Sequence, residues 1–390
     1  MSERTFLGYR RPDGQVGLRN HVLILPTVVC ANGVSERLDR ERGASDYALV
    51  THQQGCGQVG DDLSLTVRTL QGIVANPNVG AVVLVSLGCE SNQPEAIAEA
   101  AGRAGKRVEI CRIQDLGGMK GTYEEVCRLS DEMFADLDRQ QREPVAVSEL
   151  VVGLECGGSD AWSGITANPA LGLASDRLVG EGATVILAET PEIFGAEHLL
   201  AARAADAKVA ERLLASVSAW DAHAARTGVD VRGAQPAPGN IAGGLTTIEE
   251  KSLGGIQKGG STTLNEVVPF ATRPTRRGLI FMDTPGQDIE QVTAMAAGGA
   301  QLVCFTTGRG TPTGSPIVPV IKISSNSRTT ELFAEHIDLD AGRIVDGTAS
   351  LAEVGDEIFE LILATASGEQ TAAECGRHRE FALPRLWSTF

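Results

Sequence analysis

Short apolar runs rich in β-branched residues alternate with amphipathic segments along the first 145 residues. Runs of this kind predict strands, and the amphipathic segments between them predict helices that cover a mainly parallel sheet. The chain therefore begins with a doubly wound α/β unit that closes near residue 145. Its predicted strands lie at 21–29, 47–52, 80–88 and 107–113, and a helix is predicted at 119–141.

The same alternation continues to the end of the chain. Strands are predicted at 149–155, 183–189, 278–283, 300–307 and 318–325, and helices at 168–181, 195–224, 287–297, 328–336 and 351–366. The glycine-rich stretch 225–277 has no regular period and is too long for an idle connection, so we interpret it as a functional loop or lid. We expect an α/β fold of two Rossmann-like domains, 1–145 and 146–390, with mainly parallel sheets and the active site between them.

Composition excludes several classes of partner. With 42% apolar residues the chain can build large cores, whereas a net charge of -16 argues against a surface for nucleic acid or anionic membranes. The initial segment "MSERTFLGYRRPDG" has no apolar signal region, and no apolar run approaches the roughly 18 residues of a membrane span. We expect a cytoplasmic protein without nucleic acid or membrane partners.

The chain has eight cysteines but no secretory signal, which argues against a disulfide framework. Cys30, Cys111 and Cys304 lie in or beside apolar runs, and Cys127 lies on a helical pattern. We expect these four to be small buried hydrophobic side chains.

Three other cysteines lie in glycine-flanked turns, in "QGCGQ", "SLGCES" and "GLECGGSD". Cys56, Cys89 and Cys156 could converge on one metal if the two domains face each other, because ligand sites of α/β sheets lie at the carboxyl ends of strands. Thiolates favour zinc or iron, and three protein ligands leave a position open for substrate. The alternative is an incidental thiol in a tight turn. The polar residues beside these cysteines are His52, Glu90 and Glu155.

Two glycine-rich turns could bind an anion. Main-chain N–H groups just before a helix form such a nest, and a substrate carboxylate could be held there. A purely structural glycine turn is the alternative reading. The candidate substrate-binding residues are Gly157, Gly158, Ser159, Asp160 and Asn168 in the first turn and its helix, and Thr306, Thr307 and Arg309 in the second.

Candidates for the general base are few. Lys251 and Lys258 both fall in one glycine-rich stretch, and a lysine in a desolvating loop can act as a base when its pKa is lowered. Solvated surface charge is the alternative for both. His198 opens a predicted helix and could face the crevice, although a capping or core role is equally compatible with its position.

Long stretches of the chain resemble the altronate and galactarate dehydratase family. They include "THQQGCGQVGDD", "GLECGGSDAWSGITANPALG", "ETPEIFGAEHLL" and "PGNIAGGLTTIEEKSLGGIQKGG". The resemblance implies an iron-dependent lyase that removes water from a sugar acid, such as D-altronate in hexuronate degradation, to give a 2-keto-3-deoxy acid. Galactarate-type dehydratases and the large subunit of (2R)-sulfolactate sulfo-lyase, which expels sulfite, are similar alternatives.

The resemblance also implies a site. Cys56, Cys89 and Cys156 are expected to hold the iron, either as Fe2+ or as an iron–sulfur cluster with an open iron site. His52 would coordinate or shuttle a proton, and Lys258 or His198 would serve as the base. Gly255 stands where many relatives carry a cysteine, so that loop is not expected to supply a thiolate.

Partners follow from the same comparison of motifs. Fused members carry a small SAF-type domain at the amino terminus and this chain starts directly at the core, so we expect a separate small SAF-domain subunit, a sugar acid substrate and a homo-oligomer. A nucleotide-binding oxidoreductase is a rival for two Rossmann-like halves, but no G-x-G-x-x-G follows the first predicted strand. A non-catalytic scaffold subunit is a second rival.

Overall fold

A computed structural model describes residues 4–42, 47–228, 230 and 235–390. The strands in these ranges are β1 (Thr5–Arg10), β2 (Val16–Gly17), β3 (His21–Pro26), β4 (Tyr47–Leu49), β5 (Val79–Ser86), β6 (Arg107–Arg112), β7 (Glu143–Ala146), β8 (Val151–Cys156), β9 (Thr184–Leu187), β10 (Leu264–Val268), β11 (Gly278–Met282), β12 (Leu302–Thr307), β13 (Val320–Ser324) and β14 (Leu339–Asp340). The α-helices are α1 (Asn32–Arg42), α2 (Gly60–Ala75), α3 (Pro94–Arg103), α4 (Met119–Leu137), α5 (Ala167–Gly180), α6 (Glu197–Ala201), α7 (Ala207–Thr227), α8 (Pro238–Ala242), α9 (Ile248–Gly255), α10 (Asp288–Ala297), α11 (Ser327–Leu332), α12 (Leu351–Ala366) and α13 (Ala372–Cys375).

The first unit is a parallel sheet of four strands in the order β4-β3-β5-β6. Its strands are continuous apolar runs because both faces are covered. Leu65, Leu70 and Ile73 of α2 pack on one face, and Val126 and Met133 of α4 pack on the other. The predicted parallel α/β unit is confirmed.

The second unit is a parallel sheet of seven strands in the order β10-β11-β9-β8-β12-β13-β14. Strand β8 lies at its centre, between β9 and β12. Helices α5 and α12 cover one face and α10 covers the other. A central strand of a parallel sheet delivers its last residue to the usual ligand crevice, and the last residue of β8 is Cys156.

The amino ends of the two sheets meet. The Asn78 side-chain amide, just before β5, donates to the main-chain oxygens of Gln301 at 2.7 Å and Ile317 at 3.1 Å. Helices α2 and α10 pack between the sheets, and a Cβ on Gly72 would overlap the main-chain oxygen of Ala297. The amino ends of the two sheets are therefore joined by side-chain hydrogen bonds and by the close packing of α2 on α10.

The observed secondary structure differs from the sequence prediction in three places. The helix predicted at 195–224 is two helices, because Asp206 caps a new helix by accepting from Val209 N–H at 3.0 Å. The stretch 225–277 is no plain loop: its described residues include the end of α7, helices α8 and α9, and edge strand β10. Residues 229 and 231–234 of that stretch lie outside the described residues.

The third difference is a small antiparallel sheet, in the order β2-β1-β7, that the apolar pattern did not reveal. These strands are short and two of them carry charged residues. Phe6, Val16, Leu18 and Val145 nevertheless pack into the core of the seven-stranded unit. None of the helices in the described part of the chain is both long and apolar enough to cross a membrane.

A substitution that adds one methyl group tests the close contact between α2 and α10. Gly72→Ala should destabilise the fold by about 1 to 3 kcal/mol, although alanine is the better helix former, because the added Cβ must displace the Ala297 main chain. Gly102→Ala in α3 is the matched control, since no atom lies within 4 Å of its added Cβ. We expect it to stabilise slightly; urea unfolding of both variants measures the difference, and equal effects would refute the close packing.

Candidate functional site

A thiol and two carboxylates converge at the carboxyl end of the central strand. The Cys156 sulfur lies 3.3 Å from Glu189 Oε2 and 3.5 Å from Glu192 Oε2. One ligand atom from each of these residues lies within 4.8 Å of the other two. Both glutamates come from the segment after β9, the neighbour of β8 in the sheet, so adjacent strand ends build the group.

Two lysines neutralise part of this acidity. Lys258 Nζ donates to Glu189 Oε2 at 2.9 Å, and Lys251 forms an ion pair with Glu192. The Lys258 side chain is only 1% exposed, so this pair is removed from water. Burial alone would lower the pKa of Lys258, but electrostatic interaction with the neighbouring acidic groups, Cys156 and Glu189 foremost, outweighs it and raises the pKa above the usual value. Lys258 therefore holds its proton.

Two further acids border the group. Glu155 is fully buried, and neither of its carboxylate oxygens has a hydrogen-bond partner among the described residues. Burial, followed by the neighbouring Glu189 and Asp288, raises the pKa of Glu155 well above its usual value. Asp288 is half-buried at the start of α10, and a Cβ on Gly157 would overlap its carboxylate. Burial and Glu192 raise the pKa of Asp288 to about 6.

The main chain holds Glu189 in an uncommon conformation. Its φ of 76° lies in the left-handed region, which costs a residue with a Cβ about 1 to 3 kcal/mol. The conformation is fixed from the neighbouring strand end, where Thr284 Oγ1 accepts from Glu189 N–H at 2.9 Å. Asp283 accepts from Thr190 Oγ1 at 2.6 Å and from Trp220 Nε1 at 2.9 Å. Such strain is typical of a side chain that must be aimed at a ligand.

The charge balance of the group fits a divalent cation. Burial raises the pKa of the Cys156 thiol as well, so acidic groups in this pocket retain protons when no cation is present. A bound divalent ion would replace those protons, as metal binding to buried thiols and carboxylates generally does. The unpartnered oxygens of Glu155 point to the same deficit of positive charge. Five acids face two ammonium groups here: Glu155, Cys156, Glu189, Glu192 and Asp288 against Lys251 and Lys258.

A cleft of about 250 Å3 lies beside this group, because Lys251, the partner of Glu192, is one of its lining residues. Ser159, Asp160, Asn168 and Glu250 contribute polar groups to a lining that also contains apolar side chains such as Leu245. Its size suits a small acid. A larger cleft of about 510 Å3, lined by His21 and other residues, lies at the amino ends of the first sheet, away from the edge where α/β sheets bind ligands.

Two family models together match most of the chain. The second domain of D-galactarate dehydratase/altronate hydrolase matches residues 8–138, and the C-terminal domain of D-galactarate/altronate dehydratase matches residues 147–389. The chain belongs to the galactarate and altronate dehydratase family. The resemblance carried by its motifs is confirmed.

Relatives in this dehydratase family are similar over nearly the whole chain. The (2R)-sulfolactate sulfo-lyase subunit beta of Chromohalobacter salexigens is 42% identical over 388 residues, covering 99% of this chain and 98% of that protein. The altronate dehydratase of Escherichia coli is 40% identical over 386 residues, covering 96% of this chain and 76% of that protein. The galactarate dehydratase (L-threo-forming) of Escherichia coli is 37% identical over 399 residues, covering 97% and 76%. This family member is a lyase.

The predicted metal ligands of this lyase are divided between two places. Cys156 is buried in the group described above, whereas Cys56 and Cys89 are exposed on loops of the four-stranded sheet. The three sulfur atoms do not form a set within 4.8 Å of one another. Their joint role as iron ligands stays a prediction, and the structure joins Cys156 to carboxylates instead.

The predicted proton-transfer residues have different surroundings. His52 is buried, with Nε2 2.7 Å from the Pro26 oxygen and Nδ1 accepting from Gln54 N–H at 3.1 Å, so main-chain groups occupy both ring nitrogens. His198 is exposed on α6. Lys258 lies in the site, but the expectation of a lowered pKa is wrong because four acidic neighbours oppose the effect of burial.

Internal hydrogen bonds occupy one N–H group of the first anion nest. Gly157 N–H donates to the Thr306 oxygen at 3.1 Å, and Gly158 presents its oxygen to Arg309 N–H at 2.9 Å. Gly158 and Ser159 retain main-chain N–H groups for which the described part of the chain provides no partner.

The polar side chains of both turns tie the loops together. Asp160 Oδ1 accepts from Ser163 Oγ at 2.8 Å and from Ser325 Oγ at 2.7 Å. Asn168 Oδ1 accepts from Thr306 Oγ1 at 2.7 Å, and Thr307 Oγ1 accepts from Gly310 N–H at 3.0 Å. Arg309 donates to the Gly239 oxygen at 3.0 Å, away from the thiol. Substrate contacts of these residues stay predictions.

Sequence reasoning missed three acids of the site. Glu189 and Glu192 lie in "ETPEIF" and Asp288 ends "DTPGQD", both of which follow predicted strands. The polar ends of these strands were the available signal. Carboxylates are common at strand ends, however, and only the fold shows that these three face one cysteine.

The buried ion pair gives a stability prediction. Lys258→Met should cost about 3 to 5 kcal/mol of unfolding free energy, because it leaves the Glu189 carboxylate buried beside other acids. Adding Glu189→Gln to the variant should recover part of that loss. Urea unfolding of the single and double variants measures the coupling.

Lys208→Met, at an exposed position of α7, is the control and should leave the unfolding free energy unchanged. A Lys258→Met protein as stable as the Lys208→Met protein would show that the buried pair contributes nothing.

Proposed function

We propose that the chain is an iron-dependent dehydratase that converts a sugar acid, such as D-altronate, to a 2-keto-3-deoxy acid. The observation that carries the proposal is the buried group of Cys156, Glu189 and Glu192, which is paired with Lys258 and with Lys251, a residue that also lines a cleft of about 250 Å3. Relatives named altronate and galactarate dehydratase support the same reaction class.

The reaction requires an acid and a base around one substrate. Removal of the C2 proton of a 2,3-dihydroxy acid leaves an electron pair that is delocalised into the carboxylate as an enediolate. This pair forms the C2=C3 double bond as the C3–O bond breaks, and the leaving hydroxide gains a proton and departs as water. The resulting enol becomes the 2-keto-3-deoxy acid. The C2 proton is weakly acidic beside a carboxylate, so positive charge must stabilise the enediolate.

Cys156, Glu189 and Glu192 would hold the iron, which supplies a Lewis acid for the substrate oxygens. Lys258 carries a buried positive charge at the same carboxylates, where it restrains Glu189 and offsets developing negative charge. Its proton stays in place because acidic groups surround it.

Asp288 is our candidate for the general base. It is half-buried, borders Gly157 and has a pKa near 6, close to the value that favours proton transfer at neutral pH. Ser159 and Asn168 line the cleft and would position the substrate. The earlier candidates, His52 and His198, have less suitable surroundings for this role.

Sulfolactate is the second candidate substrate. The sulfo-lyase subunit is 42% identical to this chain, and the alignment covers 98% of that subunit. Expulsion of sulfite by the same fold is therefore the alternative reaction. That relative is named a subunit, which supports our expectation of a separate small SAF-domain partner. A homo-oligomer and a cytoplasmic location remain expectations of the sequence.

An assay of elimination tests the function. We expect the anaerobically purified chain, with and without a candidate small subunit, to form a 2-keto-3-deoxy acid from one member of a panel of aldonates and aldarates when Fe2+ is present. Cys156→Ser should abolish this turnover, whereas Cys304→Ser, a buried thiol in the core, serves as the control. Sulfite release from sulfolactate would move the chain to the sulfo-lyase branch. No turnover in any format would contradict the proposal.

The base assignment has its own test. Asp288→Asn should lower kcat by about 10²- to 10⁴-fold with little change in KM, since it removes a proton acceptor and keeps the shape of the side chain. Glu290→Gln, in the same turn of α10, is the control and should retain activity. Exchange of the substrate C2 proton with deuterated solvent is the direct readout, and undiminished exchange in Asp288→Asn would exclude this residue as the base.

A further inference from the structure

We propose that Cys30, Cys56 and Cys89 hold an iron–sulfur cluster at the carboxyl end of the four-stranded sheet. This site is separate from the buried Cys156 group and does not rest on the proposed function. The three cysteines follow adjacent strands, lie on loops joined by hydrogen bonds, and expose their thiols.

Each cysteine follows a different one of three adjacent strands. Cys30 comes shortly after β3, Cys56 after β4 and Cys89 after β5, and these strands are neighbours in the order β4-β3-β5. All three run parallel, so their carboxyl ends lie along one edge. The topology thus places three thiols on neighbouring loops, although 59 residues separate the first cysteine from the last (89 − 30).

Main-chain hydrogen bonds join these loops beside the cysteines. Val29 N–H donates to the Gln54 oxygen at 2.9 Å, which ties the residue before Cys30 to the β4 loop. Ser91 N–H donates to the Gly55 oxygen at 3.1 Å, which ties the β5 loop to the residue before Cys56. The loops therefore form one connected rim.

Glycines allow the loops to approach so closely. Gly55, Gly57 and Gly88 have φ values of 105°, 67° and 119°, which residues with a Cβ rarely adopt. A Cβ on Gly55 would overlap the Thr27 oxygen at the end of β3. The glycines that flank Cys56 and precede Cys89 are therefore required to bring those thiols to the rim.

The thiols at this rim are exposed, in contrast to the core cysteines. Cys30, Cys56 and Cys89 are three of the four exposed cysteines, and Cys375 is the fourth. The expectation that Cys30 is a buried hydrophobic side chain is wrong, because it lies in a one-turn 3-10 helix on the rim (Val29–Ala31) and not in the preceding strand. Accessible thiols can bind a metal, whereas buried thiols mainly fill space, and three accessible thiols lie on this one rim.

The distances among the three sulfur atoms favour an iron–sulfur cluster over a single metal ion bound by all three. Tetrahedral metal–thiolate bonds of about 2.3 Å bring the sulfurs of one ion to roughly 3.8 Å from each other. The three sulfur atoms do not all lie within 4.8 Å of one another, so the rim is too wide for one shared ion as it stands. In a [4Fe–4S] cluster each thiolate binds a different iron, which suits the wider arrangement.

Three thiolates leave one iron of such a cluster without a protein sulfur. That position would take a small oxygen ligand, namely water, a hydroxyl or a carboxylate. Arg385 donates to the Gln54 side-chain oxygen at 3.1 Å and so places a positive charge on the same loop. The charge favours an anionic cluster and an anionic ligand there.

Anaerobic reconstitution of the full chain with Fe2+ and sulfide tests the proposal. We expect bound acid-labile sulfide, visible charge-transfer absorption and an electron paramagnetic resonance signal after reduction. Cys30→Ala, Cys56→Ala and Cys89→Ala should each lose the sulfide, whereas Cys375→Ala and Cys156→Ala should keep it. These readouts do not involve turnover, so they fail or succeed independently of the proposed dehydration.

Alkylation provides a second measurement for variants that fold poorly. In the reconstituted wild-type chain, the three rim thiols should be protected from iodoacetamide while Cys375 reacts. The absence of bound sulfide in the wild type, or loss of sulfide in Cys156→Ala with retention in Cys30→Ala, would overturn the assignment. Equal sulfide in all variants would show adventitious iron sulfide only and would also overturn it.

Discussion

Charge balance in one buried pocket is the constraint on which the proposed chemistry depends. Lys258 and Glu189 form an ion pair that is almost fully removed from water, and further acids surround it. Burying ions is costly unless each charge is compensated, so the pocket must contain either protons or a cation besides its two lysines. A site that exchanges protons for a divalent ion can stabilise the negative charge that develops during an elimination.

The fold supplies this pocket through strand order. Strand β8 is central, β9 lies beside it, and β11 lies beside β9, so three consecutive neighbours deliver Cys156, Glu189 and the segment that leads to Asp288. The left-handed conformation of Glu189 and the hydrogen bonds of Asp283 then aim the carboxylate. The same rule places the rim cysteines at the carboxyl end of the first sheet.

The parallel sheets could be predicted because both of their faces are buried. Each of their strands is therefore a continuous apolar run in the sequence. Strand β10, Leu264–Val268, was not predicted because it is a short edge strand with Asn265 and Glu266 in its middle. Local patterning cannot reveal such a strand, since its pairing with β11 decides its conformation.

The candidate site was predictable only in part. The glycine-rich surroundings of the three cysteines and of Lys258 made these residues candidates. Which of them lie together depends on which strands are neighbours in the sheet, and the spacing of residues along the sequence does not reveal that strand order. Cys156 therefore lies with Glu189 and Glu192 of the next strand, while Cys30, Cys56 and Cys89 follow three adjacent strands of the other sheet. The pKa of Lys258 was misjudged for the same reason, because the acids that raise it come from other strands.

The most direct test of the central claim is a calorimetric titration of the sulfide-free chain with Fe2+, performed anaerobically in buffers of different ionisation enthalpy. The account predicts that one ion binds with release of protons, and that Glu189→Gln removes this binding. Iron that binds without proton release, or binding that survives Glu189→Gln unchanged, would contradict the assignment of this buried pocket as the metal centre.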